Sequence, residues 1–292
     1  MEASARSIVV AGSHGQLGRA VLAAAAARGL TAEGRDVDTI DITDRLAVTA
    51  WLTGSTGSHP WVVVNCAAYT AVDDCESREA DALAVNATAV GHLAGACNQV
   101  GATLVHVSTD YVFDGRAGRP YREDDPTSPA SAYGRTKLLG EAQAATALRH
   151  LIVRTAWLYG HGGRHFVGAI RGQIEAGKRR LRVVADQHGS PTFCGDLAEA
   201  ILDLAELGAT GVVHAVNSGA TTWHGFAVEI VRRLGVEVEV EVEAVATDAF
   251  PRPAPRPAYS VLDTSRLTAL RGRPMPSWQD ALGRYLEAAC GS

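Results

Sequence analysis

The architecture of this chain follows from one run of residues, Ile8-Val9-Val10-Ala11-Gly12-Ser13-His14-Gly15-Gln16-Leu17-Gly18. The run has the pattern of a short apolar strand, a glycine turn and the start of an alanine-rich helix. In this context Gly12 allows the tight turn, Gly15 lets the backbone approach a pyrophosphate, and Gly18 allows close helix packing. The alternative is a glycine-rich loop without a ligand. The order strand, turn, helix favours dinucleotide binding and a Rossmann-type α/β fold, a doubly wound parallel sheet.

Composition narrows the class of protein further. The 292 residues are 47% apolar and 20% charged, with a formal net charge of −5. This balance argues against a disordered chain or a nucleic-acid binder, so we expect a small-molecule ligand. The five cysteines are widely spaced and form no Cys-x-x-Cys pair, which indicates reduced thiols in a cytoplasmic protein. Residues 1–6 precede no apolar signal segment, and no run is long enough to span a bilayer, so we expect a soluble, unexported protein.

The pattern of the chain changes near residue 155. Before it, strand and helix signals alternate, whereas beyond it short helices, strands and turns are mixed. We therefore expect a dinucleotide-binding Rossmann domain in residues 1–155, completed by later segments, and a smaller α+β substrate-binding lobe formed mainly by residues 156–292. Within this lobe, strict alternation over residues 236–243 predicts a strand with one buried face.

The second strand candidate ends at Arg35-Asp36, where a dinucleotide fold meets the adenosine ribose. Asp36 can accept a hydrogen bond from the ribose 2′-hydroxyl, whereas Arg35 can pair with a 2′-phosphate. Arg35 is therefore a candidate cofactor residue, and NADH and NADPH both stay open, with a weak preference for NADPH. Farther on, Asp41 is a candidate contact to the adenine edge, while Thr43 or Asp44 is expected to cap a helix.

Two further apolar strands point small or polar residues toward the same edge of the sheet. Residues 61–65 lead into 66–70, where small side chains let a cofactor lie against the backbone. Residues 103–107 lead into Ser108-Thr109, whose hydroxyls can hydrogen-bond a substrate carbonyl.

Polar residues between these strands are less specific. Asp73, Asp74 and Glu76 are interpreted as helix-cap and first-turn acids rather than as paired catalytic carboxylates. Asn86 is interpreted as a solvated or capping group, with a buried position facing the cleft as the alternative.

The run Tyr133-Gly134-Arg135-Thr136-Lys137 carries a phenol and an ammonium on one face of a predicted helix, with Ser131 as its candidate N-cap. A lysine cation favours the phenolate, which would bring the pKa of the phenol nearer the range useful at neutral pH. The pair can then hand a proton to a developing alkoxide. The alternative is a solvated helix face, on which this spacing is common.

Six blocks of the chain together resemble one enzyme family. With the glycine turn, the hydroxyl after the fourth strand and the Tyr-Lys pair, the chain is similar to the extended short-chain dehydrogenase/reductases, and more specifically to the dTDP-4-dehydrorhamnose reductases. The similarity covers nearly the whole chain. Its blocks are residues 15–18, 65–73, 108–115, 133–137, 154–159 and 186–192.

This resemblance implies that NADH or NADPH reduces the 4-keto group of dTDP-4-dehydro-L-rhamnose, giving dTDP-L-rhamnose. It implies proton donation by Tyr133, electrostatic support and a ribose contact from Lys137, and tuning of the pair by Thr109. Besides Gly12 and Arg35, the expected cofactor contacts are Gly15, Gln16, Leu17, Asp41, Ile42, Ala68, Tyr69, Thr70, Tyr133 and Lys137. The expected substrate contacts are Thr109, Asp110, Tyr133, Trp157 and Arg256.

The prediction that Arg256 contacts the substrate comes from the chemistry of its side chain rather than from the resemblance. Its planar guanidinium can pair with a diphosphate, although a solvated linker arginine is the alternative. The basic run at residues 178–182 is interpreted as a solvated turn rather than a diphosphate site.

Two other functions stay open. The first is a reductase or epimerase of another dTDP-4-keto-deoxysugar, which would keep the catalytic side chains and change the surroundings of Trp157, His188 and Arg256. The second is a non-catalytic, cofactor-binding regulatory subunit, against which the presence of Thr109, Tyr133 and Lys137 argues.

Some members of the family form a dimer bridged by Mg²⁺ on glutamates, one of them two residues after the third glycine of the turn. Here that position is Ala20, preceded by Arg19, and alanine offers the cation no oxygen ligand. We therefore expect no Mg²⁺ requirement, and a monomer or weak homodimer. His188 is expected to be a hydrogen-bonding loop residue rather than a metal ligand.

Overall fold

The computed structural model describes residues 7–54 and 60–290. The N-terminal residues 1–6, for which no signal segment is expected, and residues 291–292 lie outside the described part. The strands are β1 (Ser7–Ala11), β2 (Thr31–Arg35), β3 (Val62–Asn65), β4 (Thr103–Thr109), β5 (His150–Thr155), β6 (Leu158–Tyr159), β7 (Arg180–Val184), β8 (His188–Gly189), β9 (Thr192–Phe193), β10 (Gly211–His214), β11 (Thr221–Thr222) and β12 (Glu241–Val245).

The helices alternate with these strands in the first half of the chain and cluster in the second. They are α1 (Gln16–Ala27), α2 (Arg45–Thr53), α3 (Glu79–Leu83), α4 (Ala89–Val100), α5 (Ala132–Ala144), α6 (Phe166–Glu175), α7 (Cys194–Glu206), α8 (Trp223–Arg233), α9 (Ser265–Arg271) and α10 (Trp278–Cys290). Short 3₁₀ turns span Asp74–Glu76, Asp110–Val112 and Thr247–Ala249, and a π-helical turn spans Ala84–Thr88. Among the described residues, no helix is both long and apolar enough to cross a membrane.

Six strands form a parallel sheet in the order β10-β5-β4-β3-β1-β2. The chain runs from β1 outward to β2 and then returns to β3 on the other side of β1. The topological switch point therefore lies between β1 and β3, and ligands of such sheets bind in the crevice at the carboxyl ends of the strands there.

Helices cover both faces of this sheet, as continuous apolar strands require. Ile8 and Val10 of β1 belong to the core under α1 and α7, whereas Val9 and Ala11 belong to the core under α2 and α4. All four residues of β3 are buried. The doubly wound parallel fold predicted from the sequence is confirmed.

The second half of the chain contributes to two layers. β7 and β12 pair in parallel, and α6, α8 and α10 surround a separate aromatic core that includes Tyr159, Phe226 and Trp278. β10, however, joins the large sheet beside β5, and α7 packs on α1. The domain division near residue 155 stays a prediction.

The strand predicted over residues 236–243 is wrong for most of its length. β12 begins only at Glu241, and residues 237–239 form a turn in which Val238 is 97% exposed. The alternation resembles a half-buried strand, but these residues link the end of α8 to the register Glu241↔Arg180 of β12 and β7. The pairing of β12 with β7 therefore decides where the strand begins, and the local alternation does not.

Candidate active site

The glycine turn after β1 is shaped by close backbone approach. Gly12 has φ +78°, and a Cβ there would lie 2.6 Å from the Ala67 nitrogen in the loop after β3. A Cβ on Gly18 would collide with the Gly12 carbonyl oxygen. Gly15 is the N-cap residue of α1, and no described side chain caps its first N–H groups. The turn and the open helix start therefore fit a pyrophosphate group.

The end of β2 lies against this turn. The Asp36 carboxylate accepts hydrogen bonds from the His14 nitrogen at 2.7 Å and the Val37 nitrogen at 2.8 Å. Arg35 forms an exposed ion pair with Glu33 at 2.7 Å, and such a pair is weak enough to exchange for another anion. Both residues lie where an adenosine ribose is expected, and the choice between NADH and NADPH stays open.

The next predicted cofactor segment lies after β2. Asp41 accepts hydrogen bonds from the backbone and hydroxyl of Thr43, which lower its pKa, and Asp44 caps α2 through the Leu46 nitrogen. Ile42 is only 9% exposed and packs in the core under α2 and α4, and its carbonyl lies 3.4 Å from Nδ1 of His92.

A buried asparagine holds the loop after β3. Asn86 accepts a hydrogen bond from the Tyr69 nitrogen at 2.8 Å and donates to the Tyr69 carbonyl at 3.2 Å. It also donates to Thr136, between Tyr133 and Lys137, at 3.1 Å. Asn86 is fully buried, so its interpretation as a solvated group is wrong. It ties the predicted cofactor loop of residues 68–70 to the helix of the Tyr-Lys pair. Of the two sequence-based interpretations, only the alternative, a buried asparagine that faces the cleft, comes near this role.

Helix α5 presents the predicted catalytic pair. Ser131 caps it by accepting a hydrogen bond from the Gly134 nitrogen at 3.1 Å, as the sequence predicts. Tyr133 and Lys137 line a cavity of about 240 Å³ together with Thr109 from the end of β4. The other residues around it are Leu17, Cys66, Ala68, Thr70, Val72, Val107, Ser108, Asp110, Tyr111, Thr155, Ala156, Trp157 and Leu158. We call this the catalytic cavity.

Burial dominates the electrostatics of the catalytic cavity. It raises the pKa of Tyr133, Asp110 raises this pKa further, and the hydrogen bond with Thr109 lowers it. The sequence predicts that a nearby lysine lowers the pKa of Tyr133 toward neutrality, but the pKa is raised overall. Burial of the phenolate away from water therefore has a larger effect than the lysine cation. Burial lowers the pKa of Lys137 to about 8, against the opposing effects of Glu141 and Cys66.

Asp110 is a buried carboxylate next to Thr109. Burial raises its pKa to about 6, although the nearby hydroxyls of Ser260 and Thr109 oppose the shift. The Thr109 hydroxyl donates to Oδ1 of Asp110 at 2.9 Å, while Oδ2 has no hydrogen-bond partner among the described residues. This free oxygen, in the wall of the catalytic cavity, suits a hydroxyl donor of a ligand.

A second cavity of about 780 Å³ lies beside the first, and we call it the arginine cavity. Its lining includes Arg182, Arg252 and Arg256, and Tyr111 lines both cavities. Asp73 holds Arg256 at 3.0 Å and Arg252 at 3.7 Å. Asp73 occupies the predicted cap position, before the 3₁₀ turn Asp74–Glu76, but its side chain makes no capping hydrogen bond and instead joins the first half of the chain to the arginines.

The basic run at residues 178–182 overlaps the start of β7, and its arginines fit both of the interpretations given for the run. Arg180 is exposed and pairs with Glu243 at 3.1 Å, as a solvated face would. Arg182 lines the arginine cavity and lies 5.6 Å from the centre of the Phe250 ring. No group of three or more metal-ligating side chains occurs in the described ranges, and His188 there hydrogen-bonds through its backbone to Ala258.

Two stacked tryptophans separate the cavities. Trp157 lines the catalytic cavity and Trp223 the arginine cavity, and their rings stack 3.6 Å apart at an angle of 7°. Among the described residues, Trp157 alone has a positive φ without being glycine, at 49°. A Cβ on Gly189 would lie 2.5 Å from its indole, so this glycine is needed for the stack.

A glycine turn at the switch point of a doubly wound sheet, with a Thr-Tyr-Lys constellation at the same sheet edge, is the arrangement of a nicotinamide-dependent short-chain dehydrogenase/reductase. Residues 6–290 match the family model described as the RmlD substrate binding domain, and the chain belongs to this family.

Similar proteins agree with that membership. The chain is 47% identical to a dTDP-4-dehydrorhamnose reductase of Streptomyces griseus, over 97% of this chain and 94% of the relative. It is 45% identical to a probable dTDP-4,6-dihydroxy-2-methyloxan-3-one 4-ketoreductase of Streptomyces antibioticus, over 94% and 92%. The crystal structure of a Bacillus anthracis dTDP-4-dehydrorhamnose reductase in complex with NADP has a TM-score of 0.91 and 33% identity, covering 97% of this chain and 99% of that one.

Proposed function

We propose that this protein reduces the 4-keto group of dTDP-4-dehydro-L-rhamnose with NADPH or NADH, giving dTDP-L-rhamnose. The observation that carries the proposal is the convergence of Thr109, Tyr133 and Lys137 on a catalytic cavity that opens beside the glycine turn and the arginine cavity. The bound nicotinamide supplies the hydride that goes to C4 of the sugar.

The protein's own residues handle the proton and the charge. Tyr133 donates its phenolic proton to the 4-keto oxygen as negative charge develops there. Its raised pKa keeps the phenol protonated at neutral pH, and an alkoxide is still a much stronger base than a phenolate. Thr109 hydrogen-bonds the phenol, and the Lys137 ammonium stabilises the anion that forms and binds the nicotinamide ribose.

The two cavities suit the two parts of the substrate. The sugar occupies the catalytic cavity, with Asp110 and Trp157 in its wall, and the nucleotide occupies the arginine cavity. Arg256, already oriented by Asp73, pairs with the diphosphate. Asp41 and Ile42 would hold the adenosine end of the cofactor, and residues 68–70 would hold its nicotinamide half.

A second candidate function is reduction of a different dTDP-4-keto-deoxysugar. The similarity to the Streptomyces antibioticus ketoreductase favours it, because that relative is nearly as similar as the reductase of Streptomyces griseus. A purely regulatory role fits less well, since the three catalytic side chains all line one cavity.

The test is the loss of nicotinamide absorbance with purified protein, NADPH or NADH, and a panel of dTDP-4-keto sugars. We expect the highest kcat/KM with dTDP-4-dehydro-L-rhamnose and a product with the C4 configuration of L-rhamnose by NMR. A different preferred sugar would favour the second candidate. Absence of oxidation with every sugar in the panel would contradict both.

We further propose that activity needs no Mg²⁺ and that the protein is a monomer or a weak homodimer without a metal bridge. The support is Ala20, which has no oxygen ligand, beside Arg19, whose guanidinium donates to the His14 carbonyl at 2.8 Å. Sedimentation and turnover are expected to be the same with and without EDTA. A dimer that dissociates in EDTA and re-forms with Mg²⁺ would contradict this.

A further inference from the structure

Helix α5 and strand β4 meet in three successive contacts. Tyr133, Lys137 and Glu141 lie one turn apart on the same helix face. The Lys137 ammonium donates to the Val107 carbonyl at 2.7 Å, and the Ser108 hydroxyl donates to Oε1 of Glu141 at 2.6 Å. In the third, the Thr109 hydroxyl lies close enough to the Tyr133 phenol to lower its pKa, and both residues line the catalytic cavity. Each residue at the end of β4 therefore meets one turn of the helix.

Glu141 is clamped from a second side by Arg154 of β5. Arg154 donates to Oε1 of Glu141 at 2.9 Å and to Oε2 at 2.7 Å, and the two side chains are only 5% and 7% exposed. The same guanidinium lies 5.1 Å from the centre of the Phe113 ring and donates to the Glu123 carbonyl at 3.3 Å. A buried ion pair is weak evidence for stability, because desolvation offsets much of the attraction. Its position one turn from Lys137 points to a different use.

The titratable groups around Lys137 come from several elements. Glu141 faces it from the same helix, Cys66 from the loop after β3, and His106 from β4. Burial and the lysine cation both lower the pKa of His106, which keeps this ring neutral. Glu141 is thus the carboxylate that opposes the effect of burial on the pKa of Lys137.

We propose that Glu141, clamped by Ser108 and Arg154, is a positioning residue for the reaction: it sets the register of α5 against β4 and keeps the Lys137 ammonium charged in its buried site. This inference rests on the role of Lys137 in the proposed function. A purely structural ion pair would hold the helix but would not set the pH at which Lys137 loses its charge.

The test measures the Kd of NADPH and NADH by nucleotide fluorescence between about pH 6 and about pH 10, a range that includes the lysine titration. In the parent protein, we expect binding to weaken as the pH rises through about 8, because the ammonium is lost. Glu141→Gln removes a negative neighbour and so lowers the pKa of Lys137. We expect the weakening to begin about one pH unit lower in this variant. Lys137→Met is expected to bind weakly at every pH, with no such transition.

Two variants control for loss of structure. Glu79→Gln breaks the Arg135–Glu79 ion pair on the exposed side of the same helix, at 3.0 Å, and should leave the transition in place. Glu141→Asp keeps the charge and should restore the pH of the transition. If Glu141→Gln leaves Arg154 unpaired and the protein unfolded by circular dichroism, Glu141→Gln/Arg154→Met removes both charges. Its transition is expected below that of the parent, by less than about one pH unit because the repulsion from Arg154 is removed as well.

The outcomes separate the inference from the proposed function. A folded Glu141 variant with the parent's transition, while Lys137→Met abolishes it, would overturn the role of Glu141 and leave that of Lys137 intact. Parent-like binding by Lys137→Met would overturn the role of Lys137 itself, and the inference with it.

Discussion

The two cavities of this protein are built in different ways. The catalytic cavity is bounded by short runs that follow β3, β4 and β5 and by the first turns of α5. The arginine cavity combines Tyr111 with parts of α6 and β7, Trp223 and the irregular residues 247–256. Parallel strands bring their carboxyl ends to one edge by geometry, so the catalytic cavity follows from the sheet. No comparable rule assembles the arginine cavity.

From this difference we expect the two cavities to serve different steps, the chemical reaction and the binding of substrate. The polar groups of the catalytic cavity are tied to strands and to each other, as in the bond from Lys137 to the Val107 carbonyl. The arginine cavity depends on the ion pairs of Asp73 with Arg252 and Arg256 and on the stack of Trp157 and Trp223. Variants in the first should change the rate of the chemical step, and variants in the second should change substrate binding.

The largest effect is expected from Tyr133→Phe, which removes the proton donor and keeps the ring. The kcat should fall by roughly 10²-fold or more, while the Kd for NADPH and for dTDP stays unchanged. Initial rates and isothermal titration calorimetry measure these quantities. Near-normal turnover would show that another group protonates the sugar oxygen.

Arg256→Ala should act on the other cavity. A charge-assisted hydrogen bond contributes about 1.5–3 kcal/mol, so the KM for the dTDP-sugar should rise by roughly 10-fold or more with a smaller change in kcat. The matched control is Arg180→Ala, which removes an exposed arginine that does not line the cavity. Equal KM values for the two variants would contradict the assignment of Arg256.

Trp223→Leu tests the boundary between the cavities. Removing the stacking partner frees Trp157 from its unusual backbone conformation, and an aromatic pair contributes about 0.5–1.5 kcal/mol beyond burial. We expect kcat/KM to fall by roughly 3- to 10-fold, with a loss of near-ultraviolet circular dichroism from the stack. Trp51→Leu, in α2, removes one indole elsewhere and should leave kcat/KM unchanged. If both variants behave alike, the stack has no role in substrate binding.

The smallest effect is expected at the cofactor edge. Arg35→Ala should lower the ratio of kcat/KM for NADPH to that for NADH by only a few-fold, because Glu33 competes for the guanidinium and Asp36 repels a 2′-phosphate. Measuring both coenzymes in the parent and the variant decides the matter. An unchanged ratio would make Arg35 a surface residue without a role in coenzyme choice.

The sequence by itself determined the elements whose signals are local. The glycine turn predicts its own close packing, because the missing Cβ atoms of Gly12 and Gly18 are where backbone approaches backbone. Ser131 predicts the start of α5, and the spacing of Tyr133 and Lys137 predicts their shared face. Apolar runs predict buried parallel strands, and these place Thr109 near the pair.

The tertiary structure alone decided what depends on distant partners. Alternation over residues 236–243 does not tell a strand from a turn, because the register of β12 with β7 chooses between them. The sequence around Asp73 has the pattern of a helix cap, but in the folded protein its carboxylate pairs with Arg256, which is distant in sequence. The pKa of Tyr133 rises although a lysine is nearby, because burial is a property of the whole fold. Local sequence patterns predict the conformation of neighbouring residues, whereas the burial, ion pairing and pKa of a side chain depend on residues that only folding brings together.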